Sequence, residues 1–92
     1  MRDTKAVMAI LQEECAEIIQ AVSKINRFGM DTEWQGVTNK QHLVIEIADL
    51  LAVVKILVEQ TDINITMEDL VTAIEAKDKK LEIFLPHMEN TQ

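Results

Sequence analysis

The chain has a single cysteine, a single proline, two glycines, one tryptophan and no tyrosine. Each scarcity removes a class of protein. One cysteine, Cys15, cannot form an internal disulfide, and no C-x-x-C motif exists to hold a metal or run redox chemistry. Two glycines leave no room for a glycine-rich phosphate loop, and no serine-nucleophile elbow is present. Basic residues number nine against sixteen acidic ones, a formal charge of -7 that lacks the basic footprint of general nucleic-acid binding. No apolar run approaches the ~18–20 residues of a spanning helix, and MRDTK does not lead into a signal-like apolar region. A cytoplasmic protein is the expectation.

What is present is helical pattern. Ninety-two residues with 48% hydrophobic content fit one small domain spanning 1–92, with residues 87–92 a flexible tail. Val7, Ile10, Leu11, Ile18, Val22 and Ile25 give helical periodicity from about Thr4 to Ile25, with Gly29 as a stop. Met30–Asn39 reads as a polar connector. Thr38 and Gln41 then have the spacing of a capping box. A second helix follows to about Glu59, carrying Leu43, Ile47, Leu50, Leu51, Val54, Leu57 and Val58. Thr66 caps a third helix bearing Leu70, Val71, Ile74, Leu81 and Leu85, and Pro86 limits it. Ile63–Ile65 is too short for an independent strand. The fold class is all-α, a compact bundle of three long helices per chain. A chain this small buries only about 60–65% of its unfolded surface, so association is expected to complete the core.

Two acidic pairs stand out. Glu14 and Glu17 are three apart, as are Glu46 and Asp49, so each pair shares one helix face. Glu14 lies on the apolar stripe between Leu11 and Ile18, and Glu46 lies between Leu43 and Leu50. Glu13 is turned about 100° away and reads as a solvent residue. Antiparallel packing would bring the pairs together. Carboxylates gathered in a dry contact must protonate or bind cations, and magnesium prefers hard oxygen ligands. Surface solubility or a polar structural interface would give the same pattern. Di-iron bundles use E-x-x-H motifs, absent from both pairs. His42, four residues before Glu46, is at most an outer member, and an exposed helix-start position is expected for it. Cys15 beside Ile18 and Ile19 reads as a buried thiol, and His87 as a solvent-facing terminal residue.

The stretches LQEECAEIIQAVSKINRFG and EIADLLAVVKIL resemble the all-α nucleoside triphosphate pyrophosphohydrolase superfamily, the MazG-like proteins, and in particular short single-domain phage and bacterial members. Its E-x-x-E then E-x-x-D pattern matches Glu14–Glu17 and Glu46–Asp49. The resemblance implies magnesium-dependent hydrolysis of a nucleoside or deoxynucleoside triphosphate to monophosphate and pyrophosphate, by a homodimer or tetramer. It assigns Glu14, Glu17, Glu46 and Asp49 as the catalytic, metal-binding carboxylates. It also points to Lys77, with Lys80 nearby, as phosphate contacts; Leu81 stands where the family often has asparagine. A basic patch near a helix C-terminus is favourable without any such role. Arg27 can meet a phosphate or simply stabilise its helix end. Trp34 can stack on a base or pack the connector, while Phe28 reads as helix-end packing. A phosphoribosyl-ATP pyrophosphohydrolase and a non-enzymatic helical interaction protein are the competing readings.

Overall fold

The computed structural model describes residues 1–87. The order is α1 (Thr4–Phe28), β1 (Glu33–Trp34), β2 (Val37–Thr38), α2 (Asn39–Gln60) and α3 (Met67–Phe84). All three expected helices form. Most of the expected flexible tail lies outside the described residues.

The α1 residues withdrawn from solvent are Thr4, Val7, Leu11, Glu14, Ile18, Ala21 and Ile25, alternating steps of three and four, with Lys24 beside them. On α2 the matching row is Asn39, Leu43, Glu46, Leu50, Val53 and Leu57. These are the a and d positions of a heptad seam. The two rows meet with the helices antiparallel. At one end the Arg2 amide donates to Gln60 O (2.6 Å), and Thr4 Oγ1 donates to Asp62 Oδ1 (2.6 Å). Asn39 Nδ2 donates to Gly29 O (2.9 Å) at the other. Val7, Val53 and Leu57 form the core at the first end, backed by Leu11, Ile56 and Ile63.

Both capping boxes are made. Thr38 Oγ1 accepts from the Gln41 amide (3.0 Å) while Gln41 Oε1 accepts from the Thr38 amide (2.9 Å), and Thr66 and Asp69 repeat the arrangement (3.0 and 2.9 Å). Each box satisfies two otherwise orphan amides.

The polar connector is more ordered than its sequence suggests. Glu33 pairs with Thr38 and Trp34 with Val37 in an antiparallel hairpin. Gln35 and Gly36 at its tip both have positive φ (52° and 81°), as a two-residue type I′ turn requires. The Asn39 and Lys40 amides donate to Thr32 O and Met30 O (both 3.0 Å), tying the connector to the start of α2.

Three expectations about side chains are corrected. Cys15 is exposed, because a step of about 100° carries it off the seam that Glu14 occupies. Phe28 is 57% exposed, with the Arg27 guanidinium 5.0 Å from its ring centroid, so it does not pack the helix end into the core. His42 is half-buried, for the reason given below. His87 is exposed as expected and lies 3.1 Å from Glu82 Oε1.

The third helix has no buried residue and does not pack extensively on α1 or α2. The radius of gyration is accordingly 16.6 Å, against about 12 Å for a compact domain of this length.

Candidate metal centre

Glu14 and Glu46 occupy seam positions in the middle of the α1–α2 contact. Asp49, one turn beyond Glu46, stands at the rim. One carboxylate oxygen from each lies within 4.8 Å of the other two. Burial grades across the group: Glu46 is buried, Glu14 half-buried and Asp49 exposed. The site is thus rooted in the helix contact and open on one side.

The electrostatics follow from that crowding. Partial burial raises the Glu14 carboxyl above its usual range, and the neighbouring charges of Asp49, Glu46, Glu17 and Glu13 push it further the same way. No lysine or arginine ion pair offsets the three carboxylates among the described residues. A basic group does touch the cluster: His42 Nε2 lies 3.3 Å from Glu46 Oε1. This contact draws His42 into the helix surface as the outer member of the group. Its signal in the sequence was the four-residue spacing that puts His42 over Glu46 on α2.

The donor set fits a hard divalent cation such as magnesium. All three ligands are carboxylates, no thiol or imidazole belongs to the cluster, and the open side leaves positions for water and phosphate oxygens. The structure brings Glu14, Glu46 and Asp49 together. Glu17 is exposed one turn along α1, outside the cluster but among the charges that raise Glu14.

The expected phosphate and base contacts are dispersed. Arg27 is 13 residues beyond Glu14 on α1, about 20 Å along the helix, and lies over Phe28. Lys77 and Lys80 are exposed on α3. Trp34 is 64% exposed on the hairpin, with Lys24 Nζ 5.5 Å from its ring centroid. Beneath it is a cavity of about 250 Å³ whose lining includes Lys24, Trp34, Asn39 and His42. Gln35, Asn39 and Lys24 have no part in the acidic motifs, and only the three-dimensional arrangement groups them. No helix among the described residues is long and apolar enough to cross a membrane.

No curated protein and no solved structure matches the chain significantly. A family match does cover nearly all of it: residues 2–82 fit the model of the MazG nucleotide pyrophosphohydrolase domain, and this span contains the carboxylate cluster, the hairpin and most of α3. An acidic site able to hold a divalent metal accords with the hydrolytic, pyrophosphohydrolase-type activity of such domains. The chain belongs to the MazG nucleotide pyrophosphohydrolase domain family.

Proposed function

We propose that the protein hydrolyses a nucleoside or deoxynucleoside triphosphate to the monophosphate and pyrophosphate, with magnesium held at the carboxylate cluster. The observation that carries this reading is the convergence of Glu14, Glu46 and Asp49 within 4.8 Å at a half-open helix contact. Glu14, Glu46 and Asp49 hold the cation, and Glu17 extends the acidic face toward the incoming phosphates. Magnesium bound there would supply Lewis-acid polarisation of the phosphate oxygens and acidify a coordinated water. Water attacks the α-phosphorus, the α–β bridging P–O bond breaks, and pyrophosphate leaves with the bridging oxygen. A carboxylate of the cluster accepts the water's proton.

The reading extends to Lys77 and Lys80 on α3 as phosphate contacts, with Arg27 and Trp34 contacting more distant parts of the nucleotide. It also calls for a homodimer or a tetramer. A folded monomer of 10.5 kDa exposes about 5,400 Å². This chain exposes 7749 Å², including Leu51, Val71, Ile74, Ile83 and Phe84. The excess is of the size that oligomer interfaces cover. A nucleoside triphosphate substrate also implies a cytoplasmic setting.

The test is pyrophosphate release from a panel of canonical and modified triphosphates, with magnesium and with EDTA, beside Glu46→Gln. Release that needs magnesium and is lost in the variant supports the reading. No release from any nucleotide by folded, assembled protein contradicts it.

A further inference from the structure

Of the three cluster carboxylates, Glu46 is the buried one, at 9% exposed. A carboxylate withdrawn from water needs a hydrogen-bond donor. Among the described residues, the side chain paired with it is His42, one turn earlier on α2, with Nε2 3.3 Å from Glu46 Oε1. An ionised carboxylate only accepts, so the ring nitrogen that faces it is the one to carry hydrogen. A neutral imidazole with its proton on Nε2 meets that need.

The backbone beneath His42 is tied down at several points. Thr38 and Gln41 close the capping box immediately before it, and Asn39 Nδ2 donates to Gly29 O. The Asn39 and Lys40 amides donate to Thr32 O and Met30 O. The ring itself lines the cavity beneath the hairpin, and its side chain is 39% exposed. It therefore has room to turn and shorten the contact to the ~2.7–2.9 Å of a charge-assisted bond.

A donor on Oε1 fixes the plane of the Glu46 carboxylate and competes with any cation for that oxygen. The two hard divalent cations respond differently. Magnesium demands a near-octahedral shell, whereas calcium accepts a larger, irregular shell and often takes both oxygens of one carboxylate. We propose that His42 is a positioning residue of the metal centre: its Nε2–H holds Glu46 as a one-oxygen ligand and thereby favours magnesium over calcium. The proposal rests on the cation reading above and deepens it. His42 acts through Glu46, with no contact of its own to the cation.

Isothermal titration calorimetry of the full chain without nucleotide, with magnesium and with calcium, tests this apart from any turnover. The proteins compared are wild type, His42→Ala, His42→Gln and Thr38→Ala, each checked for folding by circular dichroism in EDTA. Removing a hydrogen-bond partner of a metal ligand weakens metal binding about tenfold to a hundredfold. His42→Ala should lose that much for magnesium and clearly less for calcium, so the preference shifts toward calcium. Glutamine offers an N–H donor of similar reach, and His42→Gln should recover most of the magnesium affinity and of the preference. Thr38→Ala loosens the same helix end but keeps the donor, and should leave both affinities at wild-type values. An unchanged magnesium affinity in His42→Ala overturns the proposal. So does an equal loss for both cations, or a loss in Thr38→Ala as large as in His42→Ala, since a merely structural contact gives either result. A folded wild type that binds neither cation removes the cation reading and the positioning role together; wild-type binding that His42→Ala leaves intact removes the positioning role alone.

Discussion

Replacing Glu46 with glutamine should make the metal-free protein more stable while disabling its site. At the 4.8 Å that bounds the cluster's ligand atoms, two unit charges repel by about 0.9 kcal/mol in water and about 3.5 kcal/mol at an effective dielectric near 20. Glu46 is buried but Asp49 is exposed, so their repulsion belongs near the lower value. Glutamine keeps an oxygen where Oε1 meets His42, and it removes a charge from a buried position. Both considerations point to a gain of at least about 1 kcal/mol in EDTA, or about 4–8 °C in Tm for a domain of this size. Magnesium should invert the order. A ligand at a hundredfold its Kd stabilises the state that binds it by about 2.7 kcal/mol, and the variant forfeits most of that. The assay is thermal unfolding by circular dichroism, in EDTA and in magnesium, at one fixed concentration because association also shifts Tm. If Glu46→Gln melts below the wild type in EDTA, Glu46 is a stabilising structural contact and the metal-site reasoning is wrong.

The remaining predictions concern pH, the capping box and the hairpin. The Glu14 carboxyl is raised above 4.5 in the fold, so the folded state holds its proton to higher pH than the unfolded chain does. Its stabilising contribution is full below the unfolded value and lost as pH rises through the raised one; the metal-free Tm should fall across that window, and the fall should shrink in Glu14→Gln. Magnesium affinity, measured by calorimetry, should strengthen over the same rise because the ligands must be deprotonated. Thr38→Ala breaks the α2 capping box and should cost about 1 kcal/mol in denaturant unfolding. Gly36→Val meets nothing within 4 Å but forces a β-branched residue to φ +81°, and should cost about 1–2 kcal/mol in the hairpin. Steady-state kinetics of that variant should show a higher KM through displacement of Trp34.

The helices and the acidic site were legible because both follow from the step of three and four residues. Glu14 and Glu46 interrupt otherwise apolar rows, and that interruption survives folding as a carboxylate group in the seam. The two capping boxes were legible for the same reason: four residues of sequence contain the whole motif. The hairpin was missed because each strand has only two residues, too few for any periodicity. Its signal was Gln35-Gly36 set between the β-formers Trp34 and Val37. Cys15 shares a flank of α1 with Ile18 and Ile19, but that flank turns away from the seam: Ile19 is itself 69% exposed, and Cys15 is exposed with it. The part played by α3 is not encoded locally. Leu70 and Leu81 are half-buried, but its other apolar residues and its lysines are exposed, and it does not pack extensively on α1 or α2.

The central claim is that the acidic seam directs water to the α-phosphorus of a nucleoside triphosphate. Phosphorus NMR of the reaction mixture in magnesium tests it most directly. The account predicts nucleoside monophosphate and pyrophosphate appearing in equal amounts, with neither product in EDTA or with Glu46→Gln. Nucleoside diphosphate and inorganic phosphate as the first products, or turnover indifferent to magnesium, would contradict it.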